Sequence, residues 1–174
     1  MLIISLTWYE ITALVLTLVI VYYVGFLVWK MYSIIYFKKK LDSYMAPLKV
    51  IVSEKIDITK LLIDLCRKNN IDIGNIIPRN KLNTIDPSMT ISSFYKETDK
   101  FFRKLYRTVS AVENIDFANE LNTIKKFADE NSALYNQVVE DYNSNLGGYN
   151  YWVNFIIGRW LVKLCKFKKR ESIY

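Results

Sequence analysis

The sequence predicts an all-α chain in which an N-terminal transmembrane helix continues into an antiparallel bundle of three to four long helices. Three observations lead there. Residues 11–29 carry no charged side chain and as a helix would span roughly 28 Å, close to the ~30 Å hydrocarbon core of a bilayer. Downstream, apolar residues recur at intervals of three and four, the period of an amphipathic helix. No alternating apolar and polar stretch is long enough to argue for a strand.

The span comes first. Twelve of its residues are Leu, Ile, Val or Phe, and together they favour insertion by on the order of 4 to 7 kcal/mol. Trp8 and Tyr9 precede it and Trp29 follows it, as interfacial anchors do. Lys30, Lys38, Lys39 and Lys40 lie on its C-terminal side, whereas Glu10 and the start amine lie before it. The positive-inside rule then puts the N-terminus outside and the rest in the cytoplasm, a single pass through the cell membrane. The start lacks a basic region and no small-residue cleavage pattern follows, so the segment reads as a signal-anchor rather than a cleaved signal peptide. Residues 1–37 form this anchor.

Residues 38–148 are expected to form the cytoplasmic bundle. Its first helix covers about 41–69, with Lys49, Lys55, Lys60 and Lys68 mostly off the apolar stripe. Pro47 falls inside it, as a bend or near the start of a new helix. Residues 70–87 hold Gly74, Pro78, Pro87 and several Asn, and read as a mobile connector. Asp86-Pro87 has the chemistry of an N-cap followed by a first helical residue. A second stripe follows through Ile91, Phe94/Tyr95, Phe101/Phe102, Leu105, Val109, Val112 and Ile115. Its outer side holds Lys96, Lys100, Arg103, Lys104 and Arg107, interleaved with Glu97 and Asp99, and reads as a solvated face. Asp116 is expected to cap or bend the next helix. That helix carries Phe117, Leu121, Ile124, Phe127/Ala128, Leu134/Tyr135, Val138, Tyr142 and Leu146, and Gly147-Gly148 offers it a left-handed C-cap.

Residues 149–174 form a last, aromatic and basic segment. The stretch 151–164 is too short, and too polar at Asn154 and Arg159, to cross a bilayer. It runs into Lys166, Lys168, Lys169 and Arg170. Two readings stand: a helix lying in the membrane interface, or a fourth bundle helix with a basic tail. The residues expected to anchor the chain at the membrane are Trp8, Trp29, Lys38, Lys39, Lys40, Trp152, Trp160, Lys168, Lys169 and Arg170.

The net charge of +7 is unevenly spread: residues 38–69 hold eight basic and four acidic side chains, residues 149–174 six and one. Both excesses suit anionic lipid headgroups as a partner. With no histidine and only Cys66 and Cys165, zinc sites, Cys-His pairs and Ser-His-Asp triads have no residues to build them. The two thiols are expected to be reduced. Asp129-Glu130 and Glu140-Asp141 are neighbours whose side chains diverge by about 100° around a helix, so neither pair converges on one substrate atom. No catalytic, metal-binding or cofactor-binding residue is expected. No basic groove interleaved with aromatics argues for nucleic acid.

Tyr135-Asn136 and Tyr142-Asn143 stand seven residues apart, two turns along one helical face. This repeat resembles the signature helix of the LemA family, in which a Glu-Leu pair precedes the first Tyr-Asn as Glu120-Leu121 does here. The order of one span, a basic turn and long helices is similar too. Lys125-Lys126-Phe127-Ala128 replaces the family's Glu-Asn-x-Ile motif, and the proline after the second Tyr-Asn is absent. The resemblance implies a membrane-associated scaffold or adaptor that organises proteins or lipid at the inner membrane face, with a protein partner and self-association left open. The alternative is a small pore-forming or phage-like lysis protein that uses residues 11–29 and 151–164 as two apolar segments.

Overall fold

The structure, a computed structural model, describes residues 7–71, 73, 90–111 and 115–173, with 115–117 described by backbone alone. Every element among them is a helix: α1 (Trp8–Lys68), α2 (Ile91–Val109), α3 (Ile115–Asn154) and α4 (Arg159–Leu164). The described residues include no strand, and the chain has one long apolar N-terminal helix.

α1 opens with a cap in which the Glu10 side chain reaches back to Thr7. The Thr7 backbone N–H and hydroxyl both donate to the Glu10 carboxylate at 2.8 Å, which satisfies a donor that the first turn leaves open. The helix then runs without interruption through Pro47. Proline removes one helical hydrogen bond, and buried residues hold the helix on either side, Leu41 before it and Leu48, Ile51 and Val52 after it.

The start of α2 differs from expectation. Asp86-Pro87 and the 74–87 part of the connector lie outside the described residues, and the cap is Thr90. Its extended backbone lets the hydroxyl accept from the Ser93 N–H, the geometry that favours Thr at this position. Phe94, Tyr95, Thr98, Phe102, Leu105 and Val109 form the buried stripe. Val112 and the Asp116 side chain lie outside the described residues, and Ile115 begins α3 rather than ending α2.

α3 does not end at the glycines. It continues through Gly147 and Gly148 to Asn154. A Cβ on Gly148 would lie 2.8 Å from the Phe37 ring, while one on Gly147 would meet nothing within 4 Å. Gly148 therefore serves a close helix contact, not a C-cap. Its buried residues keep near-heptad spacing through Leu121, Ile124, Ala128, Asn131, Tyr135, Tyr142, Leu146, Tyr149 and Val153, the repeat that keeps one face toward neighbouring helices. Phe127 and Leu134 are exposed, leaving Ala128 and Tyr135 as the core members of those two pairs.

The last segment is not one helix. Residues up to Asn154 belong to α3, a turn follows, and α4 is six residues long. Gly158 makes the break with a left-handed φ of 71°, which glycine adopts without a Cβ clash.

Two compact units divide the chain. The first, Met1–Leu41 with Asn145–Glu171, buries Ile34, Leu41, Leu146, Tyr149, Val153 and Val162. The second, Asp42–Ser144 with Ser172–Tyr174, has two apolar clusters. One joins Leu62, Leu65 and Cys66 to Phe102, Leu105, Leu121 and Ile124. The other joins Leu48, Ile51 and Val52 to Phe94, Tyr95 and Tyr135, with Ile173 packed against it.

Candidate functional site

In the second unit, α2 and α3 enclose a cleft of about 770 Å³. Lys96, Lys100, Arg103, Lys104 and Arg107 of α2 line it and are exposed. α3 contributes Ser132, Tyr135, Asn136 and Val139. Asp99 is the one carboxylate among the lining residues, and it is already engaged by two cations. Lys55 Nζ lies 2.7 Å from Asp99 Oδ1, and Arg103 Nε lies 2.7 Å from Oδ2.

Lys55 corrects the sequence reading, which placed it off the apolar stripe. It is 1% exposed because α2 and α3 supply what a buried ammonium needs. Besides Asp99, it donates to Ser132 Oγ at 3.1 Å and the Ala128 carbonyl at 3.4 Å, and it lies over the Phe102 ring at 4.9 Å. A charge buried without such partners would be strongly destabilising. Asn131, also buried, donates to the Ile51 carbonyl at 2.9 Å and accepts from the Tyr95 hydroxyl at 3.3 Å. The Tyr95 and Tyr135 rings stack with planes 4° apart and centroids 3.6 Å apart. Burial, aided by Asp99 and Tyr135 and opposed by the Ser132 hydrogen bond and Arg103, pushes the Tyr95 phenol up to about 12. Burial likewise pushes the Tyr135 phenol up, with Ser92 opposing. The buried Tyr135 hydroxyl has no hydrogen-bond partner among the described residues, so Ser92 acts on it by proximity alone.

Of the motif residues, Glu120 pairs with Lys68 at 3.3 Å on the surface, and Leu121 enters the core. Tyr135 and Tyr142 are buried. Sequence reasoning missed a third copy of the repeat, Tyr149-Asn150, seven residues further on. Its spacing was the available signal, hidden by the expectation that Gly147-Gly148 ends the helix. Asn143 and Asn150 do the same work in their respective units. Asn143 Nδ2 donates to the Ile173 carbonyl at 2.6 Å and its Oδ1 accepts the Ile173 N–H at 3.0 Å. Asn150 makes both bonds to the backbone of Arg170, each 3.0 Å. Each side-chain amide thus pairs with one residue of the tail as a strand neighbour would.

The expected anchoring residues all fall in the first unit. Every residue from 7 to 25 is exposed, and cover begins at Phe26. Trp8 is exposed. Trp29 is half exposed and meets Trp152 edge-on at 4.8 Å. Lys30, not singled out from the sequence as an anchor, is fully buried and donates to the carbonyls of Phe155 and Ile157 at 2.8 and 2.6 Å. Lys38 lies over the Phe167 ring, and Lys39 is exposed and Lys40 half-buried. Ile156, Ile157, Trp160 and Leu164 are exposed apolar side chains around α4. Lys168 and Lys169 are exposed, and the Arg170 guanidinium covers the Tyr149 ring at 5.6 Å. Both cysteines are free, Cys66 buried and Cys165 exposed. No group of metal-ligating side chains occurs among the described residues.

No family model, curated protein or solved structure matches the chain.

Proposed function

We propose that the protein is a single-pass, membrane-anchored helical scaffold or adaptor, with its second unit an antiparallel bundle on the cytoplasmic side. The observation that carries this reading is the bare apolar sleeve of α1. Residues 7–25 are all exposed, and between Glu10 and Lys30 none is charged. Nothing in water favours a sleeve of Leu, Ile and Val with no cover, whereas lipid supplies one. Where the sleeve ends, Lys30 turns its charge inward to the Phe155 and Ile157 carbonyls, and the exposed Ile156, Ile157, Trp160 and Leu164 suit the headgroup boundary. Lys38, Lys39, Lys168 and Lys169 then meet anionic lipid, each contributing about 1 kcal/mol. The Tyr-Asn repeat and its LemA resemblance support a scaffold role over a catalytic one.

Membrane fractions washed at high pH test the anchor. The chain should stay with the bilayer, and Leu16→Arg with Val19→Arg should release it; release of the unaltered chain refutes the span. Cys165 reports orientation because it is exposed while Cys66 is buried. An impermeant maleimide should label intact cells weakly and inverted vesicles strongly, and strong labelling of intact cells reverses the topology.

A further inference from the structure

The three Tyr-Asn pairs put Asn136, Asn143 and Asn150 two helical turns apart, about 10.5 Å per step. Three residues of extended chain cover nearly the same distance, about 10 Å. The two repeats match, so α3 carries a track of side-chain amides at the pitch of an extended backbone. In the second unit Asn143 is occupied by Ile173. Asn136 is exposed, makes no hydrogen bond among the described residues, and lines the cleft beside the α2 cations.

We propose that this cleft binds an extended acidic peptide segment of a partner protein, whose backbone pairs with the Asn136 amide as Ile173 pairs with Asn143. Two observations select this occupant. The same two-bond pairing with main chain is already made one step along the track, so the open rung continues an existing interface. The five cations from Lys96 to Arg107 run about 16 Å along α2, the reach of about five extended residues, and the cleft's single carboxylate is consumed by Lys55 and Arg103. Backbone pairing supplies position and direction, as in strand addition, and the cations select acidic side chains. Asn136, Asn143, Ile173 and the α2 cations all belong to the second unit, so the proposal stands whether or not α1 crosses a bilayer.

The test uses the full chain in detergent micelles and a fluorescein-labelled eight-residue peptide of Glu and Ser, followed by anisotropy. The peptide should bind at low salt and weaken as salt rises, while a matched Lys and Ser peptide should not bind. Asn136→Ala, at an exposed position that leaves the circular dichroism unchanged, should weaken binding about tenfold through the loss of two hydrogen bonds. N-methylation of one internal peptide position should weaken binding to the unaltered chain by about fivefold or more, with no further effect on the Asn136→Ala chain. Lys100→Glu with Lys104→Glu should abolish binding. No binding at low salt overturns the proposal, including the case in which another segment of this chain fills the rung. So does equal binding by the unaltered and Asn136→Ala chains, with displacement by polyphosphate or phosphatidylglycerol vesicles, because the cleft would then read charge and not a peptide backbone.

Discussion

Gly147 and Gly148 are neighbours on α3 with opposite responses to a methyl group. At Gly147 an alanine meets open space and restricts the unfolded chain, so Gly147→Ala should raise stability by about 0.5–1 kcal/mol. At Gly148 the Phe37 ring stands in the way, and Gly148→Ala should lower stability by about 1–3 kcal/mol. Thermal unfolding of the two variants in one detergent should move the midpoint in opposite directions. Tyr95 gives a residue-scale prediction in pH. Its folded phenol titrates near 12, above the ~10 of an unfolded tyrosine. The folded state then holds the proton more tightly, and its contribution to stability is complete below pH ~10 and lost as pH rises toward ~12. Denaturant midpoints should fall over that window, and Tyr95→Phe should flatten the fall. Neither the glycine contrast nor the burial of Lys55 could be read from sequence, because each depends on a side chain more than forty positions away.

At the scale of elements, α2 is held to α1 and α3 by the charge cluster under the cleft as well as by its apolar stripe. The two sides of the ion pair are unequal. Asp99 is partly exposed and keeps Arg103 if Lys55 is lost, whereas Lys55 is fully enclosed. Asp99→Ala should therefore cost about 3–5 kcal/mol by stranding a buried charge, and Lys55→Met only about 1–2 kcal/mol. Chemical denaturation of both variants checks the order, and equal losses would mean the pair acts only through its contact with one another. Helical type was legible for α1, α2 and α3 because spacing of three and four is a local property of sequence. Ends were less so. Thr90 displaced Asp86-Pro87 as the cap, and the glycines lay inside a helix, since competing caps and tolerated glycines are decided by the packing around them.

For the chain as a whole, the apolar sleeve was legible because length and lack of charge suffice to define it. Which residues begin to cover it was not: the contacts of Phe26, Trp29 and Lys30 with Trp152, Phe155 and Ile157 join segments over a hundred residues apart. The cleft was half legible. The basic row on α2 was visible in the sequence, but its opposing wall on α3 and the pairing of asparagines with the tail needed the fold. Charge asymmetry follows the same line: the positive excess at 38–69 and 149–174 can be counted in advance, while the seating of Arg170 over the Tyr149 ring engages one of those cations and Lys30, upstream of both ranges, is buried against carbonyls.

The asparagine pairings also set a rule for chain length. Deleting one residue between Tyr135 and Asn143 would swing the Asn143 amide by about 100° relative to the buried Tyr135 and strand Ile173, its partner in the same unit, whereas a seven-residue duplication restores the angle. Viable length variants of this part of α3 should therefore change in steps of seven.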